Sequence, residues 1–183
     1  AQSALVMADK QENTDKLRRM AERFYEKLPP NIPKPIRAEA NAVMTVYPAI
    51  GSEVSIATAG AQTSGRASTY TRFHGSEVAF WKNAEWVISG ALQAIPEHIQ
   101  DTWVVFESTG NGQQGWFYEE CMAALRGESK WTLHFYAWWW DDDYCLPLER
   151  GEALVYTTDE QALTLAHNLS PEQIKWRRKK QHD

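Results

Sequence analysis

The chain has 183 residues, 43% hydrophobic and 23% charged, with a net charge of −5. That is room for one domain with a substantial core and an average globular balance. It excludes a surface that is basic throughout, and no apolar run approaches the roughly 20 residues of a membrane span. Residues 1–30 are amphipathic and charged, unlike a signal peptide. Cys121 and Cys145 have no zinc-ligand spacing and fit a reducing compartment.

Ala4 to Met7 reads as a short buried strand. Leu17, Met20, Ala21, Phe24 and Leu28 recur at helical spacing, which predicts one apolar helix face, and Pro29 and Pro30 stop the helix. The proline-rich stretch 29–41 is a connector. Ala42 to Tyr47 and Glu53 to Ala57, with Gly51 and Ser52 between them, predict a hairpin. Thr58 to Gly65 is a loop and Thr69 to Phe73 a strand leading to Glu77. Ala84 to Ile95 is helical and ends at Pro96.

Trp103 to Phe106 is fully apolar, as expected of a central parallel strand. A helix begins near Gly115, with Phe117, Cys121, Ala124 and Leu125 on one face and Gly127 as its C-terminal cap. Trp131 to Tyr136 reads as a further strand and Ala137 to Gly151 as a loop. Thr158 with Gln161, and Ser170 with Pro171 and Gln173, read as two helix starts. The alternation predicts an α/β sandwich with a mostly parallel sheet, and a right-handed crossover between residues 69 and 106.

Ligands of such sheets bind beyond the carboxyl ends of the strands. Glu77, just past a strand end, can polarise an attacking water or hold a metal through water; it could equally be a surface glutamate that opens a helix. Ser76 before it can hydrogen-bond a metal-bound water but brings no charge. Arg66, on a glycine-flanked loop, can reach a γ-phosphate as an arginine finger, or be a plain surface arginine. Glu107, Ser108 and Thr109, followed by Gly110, Asn111 and Gly112, can sense a phosphate or simply form a turn.

Asp141, Asp142 and Asp143 repel one another and read as solvated. Trp138, Trp139 and Trp140 read as packing residues, although an aromatic could stack on adenine. His74 and His134 read as core histidines. Lys175, Arg177, Arg178, Lys179 and Lys180 crowd the C-terminus and can meet a phosphate backbone or suit a helix dipole. No G-x-x-x-x-G-K-[ST] occurs, so the sheet lacks a phosphate loop.

Several stretches together resemble the large subunit of tailed-bacteriophage terminases, the ATP-driven motors that package DNA. They are Gly65-Arg66, His74 to Trp81, Glu107 to Gly112, Phe135 to Asp141 with Tyr144, and Leu169 to Arg178. The resemblance implies a P-loop NTPase-like three-layer sandwich that is incomplete at its N-terminus, with the chain starting just after the phosphate loop. Residues 1–151 would be the C-terminal part of the ATPase core and 152–183 a helical closing segment leading toward a nuclease domain.

The resemblance further implies that Glu77 is the catalytic glutamate and that Ser76 stands where relatives often place a magnesium-binding acid. Arg66 would act across a subunit interface, and Glu107, Ser108 and Thr109 would couple hydrolysis to DNA movement. ATP and Mg2+ would be the cofactors of the intact parent. Double-stranded DNA, the portal and the small terminase subunit would be its partners, in the cytoplasm of a bacterial host.

The phosphate loop and the nuclease domain are missing, and the expectation is a fragment inactive alone that self-associates through exposed apolar surface. Two alternatives stay open: a non-catalytic prophage remnant or DNA- or partner-binding module, and a helicase-like ATPase fragment.

Overall fold

The computed structural model describes residues 1–41, 43–61, 69–96, 99 and 101–182, with only the backbone of residues 39 and 40. The chain is α/β and divides into two compact units, Ala1–Thr132 and Leu133–Asp183. The first holds β1 (Ser3–Ala8), α1 (Gln11–Glu26), β2 (Glu39–Ala40), β3 (Met44–Tyr47), β4 (Ser52–Thr58), β5 (Arg72–Ser76), α2 (Ala84–Gln93), β6 (Trp103–Glu107) and α3 (Trp116–Leu125). The second holds α4 (Thr158–His167) and α5 (Pro171–His182). Among the described residues no helix is long and apolar enough to cross a membrane.

The six strands lie in the order β2-β3-β4-β1-β5-β6. β4, β1, β5 and β6 are parallel, and the hairpin β3–β4 and the short β2 are antiparallel. β1 pairs on both sides, so its apolar residues are buried on both faces, as a central parallel strand requires. On one face Leu5, Met7 and Phe73 pack with Val87, Ile88 and Ala91 of α2, and Phe106, Trp116 and Phe117 close against them. On the other face the α1 residue Thr14 is buried and bonds Thr58 Oγ1 at 2.9 Å. Helices therefore flank the sheet. At the hairpin Gly51 adopts φ 60°, a left-handed turn position that suits glycine.

Several expectations are corrected. α1 forms as predicted, but Met20 and Phe24 of its predicted apolar face are 48% and 65% exposed. The side turned inward carries Thr14, half-buried Leu17 and Arg18, and Tyr25, whose hydroxyl donates to the Pro35 carbonyl at 2.7 Å. Hydroxyl partners on β4 and in the connector orient the helix, and the apolar stripe is left outside.

β6 is an edge strand rather than a central one, with Trp103 56% exposed. Trp131 to Tyr136 forms no strand. Trp131 sets its ring edge-on to Phe106, centroids 5.1 Å apart, but no described strand offers the following residues a ladder. His134 is exposed, as are Phe135 and Tyr136. The boundary between units falls at 132/133 rather than 151/152. The loop from 138 belongs with α5: Trp176 stacks on Trp138 and Tyr144, with centroids 5.2 and 4.6 Å away, and Gln173 donates to the Trp139 carbonyl.

In the second unit the first helix start is shifted by one residue. Thr157, not Thr158, caps α4, exchanging bonds with Glu160. Ser170 and Gln173 form the second box as expected.

Candidate functional site at the ends of β5 and β6

β5 runs between β1 and β6 and ends at Ser76. Glu77 follows with φ 57° and ψ 43°, left-handed and unusual for a non-glycine residue. The reversal is held from several sides. Trp81 Nε1 donates to the Ser76 carbonyl at 2.9 Å, and Val78 is fully buried. The backbone N–H of Phe80 donates to the Glu77 carbonyl at 3.0 Å.

Gly75 permits this packing. A Cβ there would lie 2.9 Å from Phe106 Cδ1 and 3.1 Å from both Trp81 and Val78. A backbone held in the left-handed region by its surroundings is a recurring mark of functional positions.

The Glu77 carboxylate is taken up by the adjacent strand end. Its Oε2 accepts from Ser108 Oγ at 3.3 Å, from the Thr109 N–H at 3.4 Å and from Thr109 Oγ1 at 3.3 Å. All the described bonds to this carboxylate fall on Oε2. The Ser108 hydroxyl oxygen in turn accepts from the Ala79 N–H at 3.2 Å, and Asn111 Nδ2 donates to the Ala79 carbonyl at 3.0 Å. The polar turn after β6 and the short 3-10 turn after β5 thus form one hydrogen-bonded unit.

Glu107 stands beside Ser76 across the ladder. His74 Nε2 lies 3.2 Å from Glu107 Oε1. The hydrogen bond from His74 is the chief reason that the Glu107 carboxyl titrates below the usual carboxylate range, partly opposed by burial. The Ser76 hydroxyl, the charge on His74 and the Glu77 backbone N–H all act in the same lowering direction. His74 is therefore no core histidine: its side chain is 32% exposed and faces a carboxylate. The isolated sequence offers one clue, since residues 74 and 107 both sit at strand ends, but only the register puts them on one face.

The structure brings together Ser76, Glu77, Glu107, Ser108 and Thr109 from the predicted set. Arg66 lies outside the described residues. Of the C-terminal cations, Lys175 is bonded to Glu152 at 2.7 Å and Arg178 to Glu160 at 2.7 Å, whereas Lys179 and Lys180 are exposed. Asp141, Asp142 and Asp143 are exposed, as expected of solvated acids.

A magnesium–nucleotide complex needs oxygen ligands for the metal and donors for the phosphates. Among the described residues no group of three or more His, Cys, Asp or Glu side chains could hold a metal. The hydroxyls here are engaged with Glu77 and its neighbours, and no phosphate loop occurs in the sequence. The described donor set fits the orientation of a water beside a carboxylate and does not by itself fit the holding of Mg2+ and triphosphate.

Comparison with protein-family models and with curated proteins finds no match.

Proposed function

We propose that this chain supplies the water-activating part of an ATP-hydrolysing α/β module, of the kind that drives DNA packaging in tailed-bacteriophage terminases. The observation that carries the proposal is Glu77. It sits at the carboxyl end of an interior parallel strand, with its Oε2 engaged by Ser108 and Thr109. That leaves Oε1 to orient and polarise a water, the general-base role that phosphoryl transfer to water asks of a carboxylate.

ATP and Mg2+ would supply the transferred phosphoryl group and its charge neutralisation, held by residues outside the described set. Arg66 is proposed as the group that stabilises charge on that phosphoryl. The ordered motifs from Gly65 to Arg178 support the terminase-like form of this proposal.

The test is Glu77→Gln in the complete gene product that contains this sequence. ATP hydrolysis falls by roughly a hundredfold or more while ATP binding is retained, as expected for loss of a general base. Turnover at the unsubstituted rate would remove Glu77 from the chemistry and the proposal with it.

A second function within the same proposal concerns α5. Lys179 and Lys180 are exposed in its last turn, which favours a contact with nucleic-acid phosphates.

A further inference from the structure

The clasp on Glu77 is built on a strand that is itself only half supported. β6 pairs with β5 on one side and is the sheet edge on the other. Ser108 and Thr109 follow it directly, so the direction in which the chain leaves Glu107 decides where both hydroxyls point. Edge-strand ends have few neighbours to fix that direction.

Glu107 answers this need in an unusual way. Its side chain is 47% exposed, yet the carboxylate turns back over the ladder to His74 rather than outward to water. His74 pairs with Val105 and Ser76 with Glu107, so His74, Ser76 and Glu107 occupy one face of the two strands. On that face Arg72 is engaged elsewhere, with the Asp101 carboxylate at 2.7 Å and with the carbonyls of Thr71 and Asp101.

We propose that His74 and Glu107 are positioning residues for Glu77: His74 anchors the Glu107 carboxylate, which fixes the start of the Ser108–Thr109 turn and steadies the left-handed backbone at Glu77.

The lowered titration of Glu107, to which the Ser76 hydroxyl and the Glu77 N–H both contribute, agrees with a carboxylate bonded to the strained turn itself. The two acids then act reciprocally. Glu107 holds the backbone of Glu77, and the turn that follows Glu107 holds the side chain of Glu77. Neither His74 nor Glu107 needs to touch a substrate for this. The significance of the pair for catalysis rests on the proposed role of Glu77, but the geometry can be tested without any hydrolysis.

The experiment is native-state amide hydrogen exchange, read by NMR on the full chain, for Glu107→Ala, His74→Ala, Glu107→Gln and His74→Gln. Loss of one anchoring bond should speed exchange at the Glu77 and Thr109 amides by roughly tenfold in both alanine variants. The amides of β1 and β4 should be unchanged. Glutamine at either position can still make a hydrogen bond across the ladder and should restore most of the protection.

Unchanged exchange at both Glu77 and Thr109 in the alanine variants would overturn the inference. So would an equal acceleration across β1 and β4, which would mean a general loss of stability. Failure of Glu77→Gln to reduce hydrolysis would bear on the proposed activity alone, because the exchange readout does not depend on it.

Discussion

The carboxylate of Glu77 lies 3.3 Å from the hydroxyl of Thr109 and 3.4 Å from its backbone N–H, through the same oxygen. This contact joins an interior strand to an edge strand at the end of the sheet where ligands of parallel sheets are met. A double-mutant cycle with Glu77→Ala and Thr109→Val measures it. Urea unfolding should show a coupling of about 1 kcal/mol between the two substitutions. Strictly additive effects would mean that the two groups do not interact in solution.

The left-handed backbone at residue 77 makes its own prediction. Glycine adopts φ 57° without steric cost, whereas a residue with a Cβ bears about 1 kcal/mol or more. Glu77→Gly and Glu77→Ala both remove the carboxylate, so their difference isolates the backbone. The glycine variant should be the more stable by about 1 kcal/mol in urea unfolding. An alanine variant of equal or greater stability would show that position 77 is unstrained.

Gly75 tests the packing beneath the turn. An added methyl meets Phe106, Trp81 and Val78 at 2.9–3.1 Å, and both Phe106 and Val78 are fixed by close neighbours. Gly75→Ala should cost about 1–3 kcal/mol of unfolding free energy. It should also displace the Trp81 indole, visible in near-ultraviolet circular dichroism. A neutral substitution would contradict the close packing.

In the second unit the test is acid. Glu160 is 3% exposed, and its hydrogen bond from Arg178 is the main reason that its carboxyl is lowered to about 2. Its unfolded value is near 4.3. Stability from this pair is therefore complete above about pH 4.5 and is lost as pH falls toward 2.

Arg178→Met should cost about 1–3 kcal/mol at neutral pH, toward the low end of buried pairs because the Arg178 side chain is 34% exposed. It should also abolish that share of the acid dependence. Near-ultraviolet dichroism of Trp138 and Trp176 follows the unit, and an unchanged acid profile would remove the pair from its stability.

The exposed end of α5 is tested by salt. Lys179→Ala with Lys180→Ala should weaken binding to duplex DNA and reduce the slope of log affinity against log salt by about 2, one for each phosphate that is no longer neutralised. Fluorescence anisotropy across a salt series reads both. A slope unchanged by the double substitution would exclude these lysines from a DNA contact.

Much of the fold is legible in the sequence because the strands differ so plainly in kind. Ala4 to Met7 is apolar on both faces and is the central strand; Gly51 marks the hairpin; Pro96 follows the end of α2. The departures share a cause. Apolar content suggests a central position, yet Trp103 to Phe106 forms an edge, and Trp131 to Tyr136 lacks a neighbour to pair with. Strand order is a long-range property, and no local period encodes it.

The site is legible in its parts. Glu77, Ser108 and Thr109 stand out as polar groups after apolar strands, and the β5–β6 register brings them together. His74 is not legible in the same way, because an apolar neighbourhood in sequence says nothing about which residue stands diagonally across a ladder.

The two halves of the clasp sit on strands of unequal tenacity. β5 is bonded along both sides, and Phe73 and Val78 lie within the core; β6 is bonded along one. Thermal breathing will therefore begin at the rim, and it will carry Ser108 and Thr109 away while Glu77 stays where it is. The carboxylate is thus released by fraying of a single strand, an event well short of unfolding, and whatever lies against the outer border of β6 sets how often it happens.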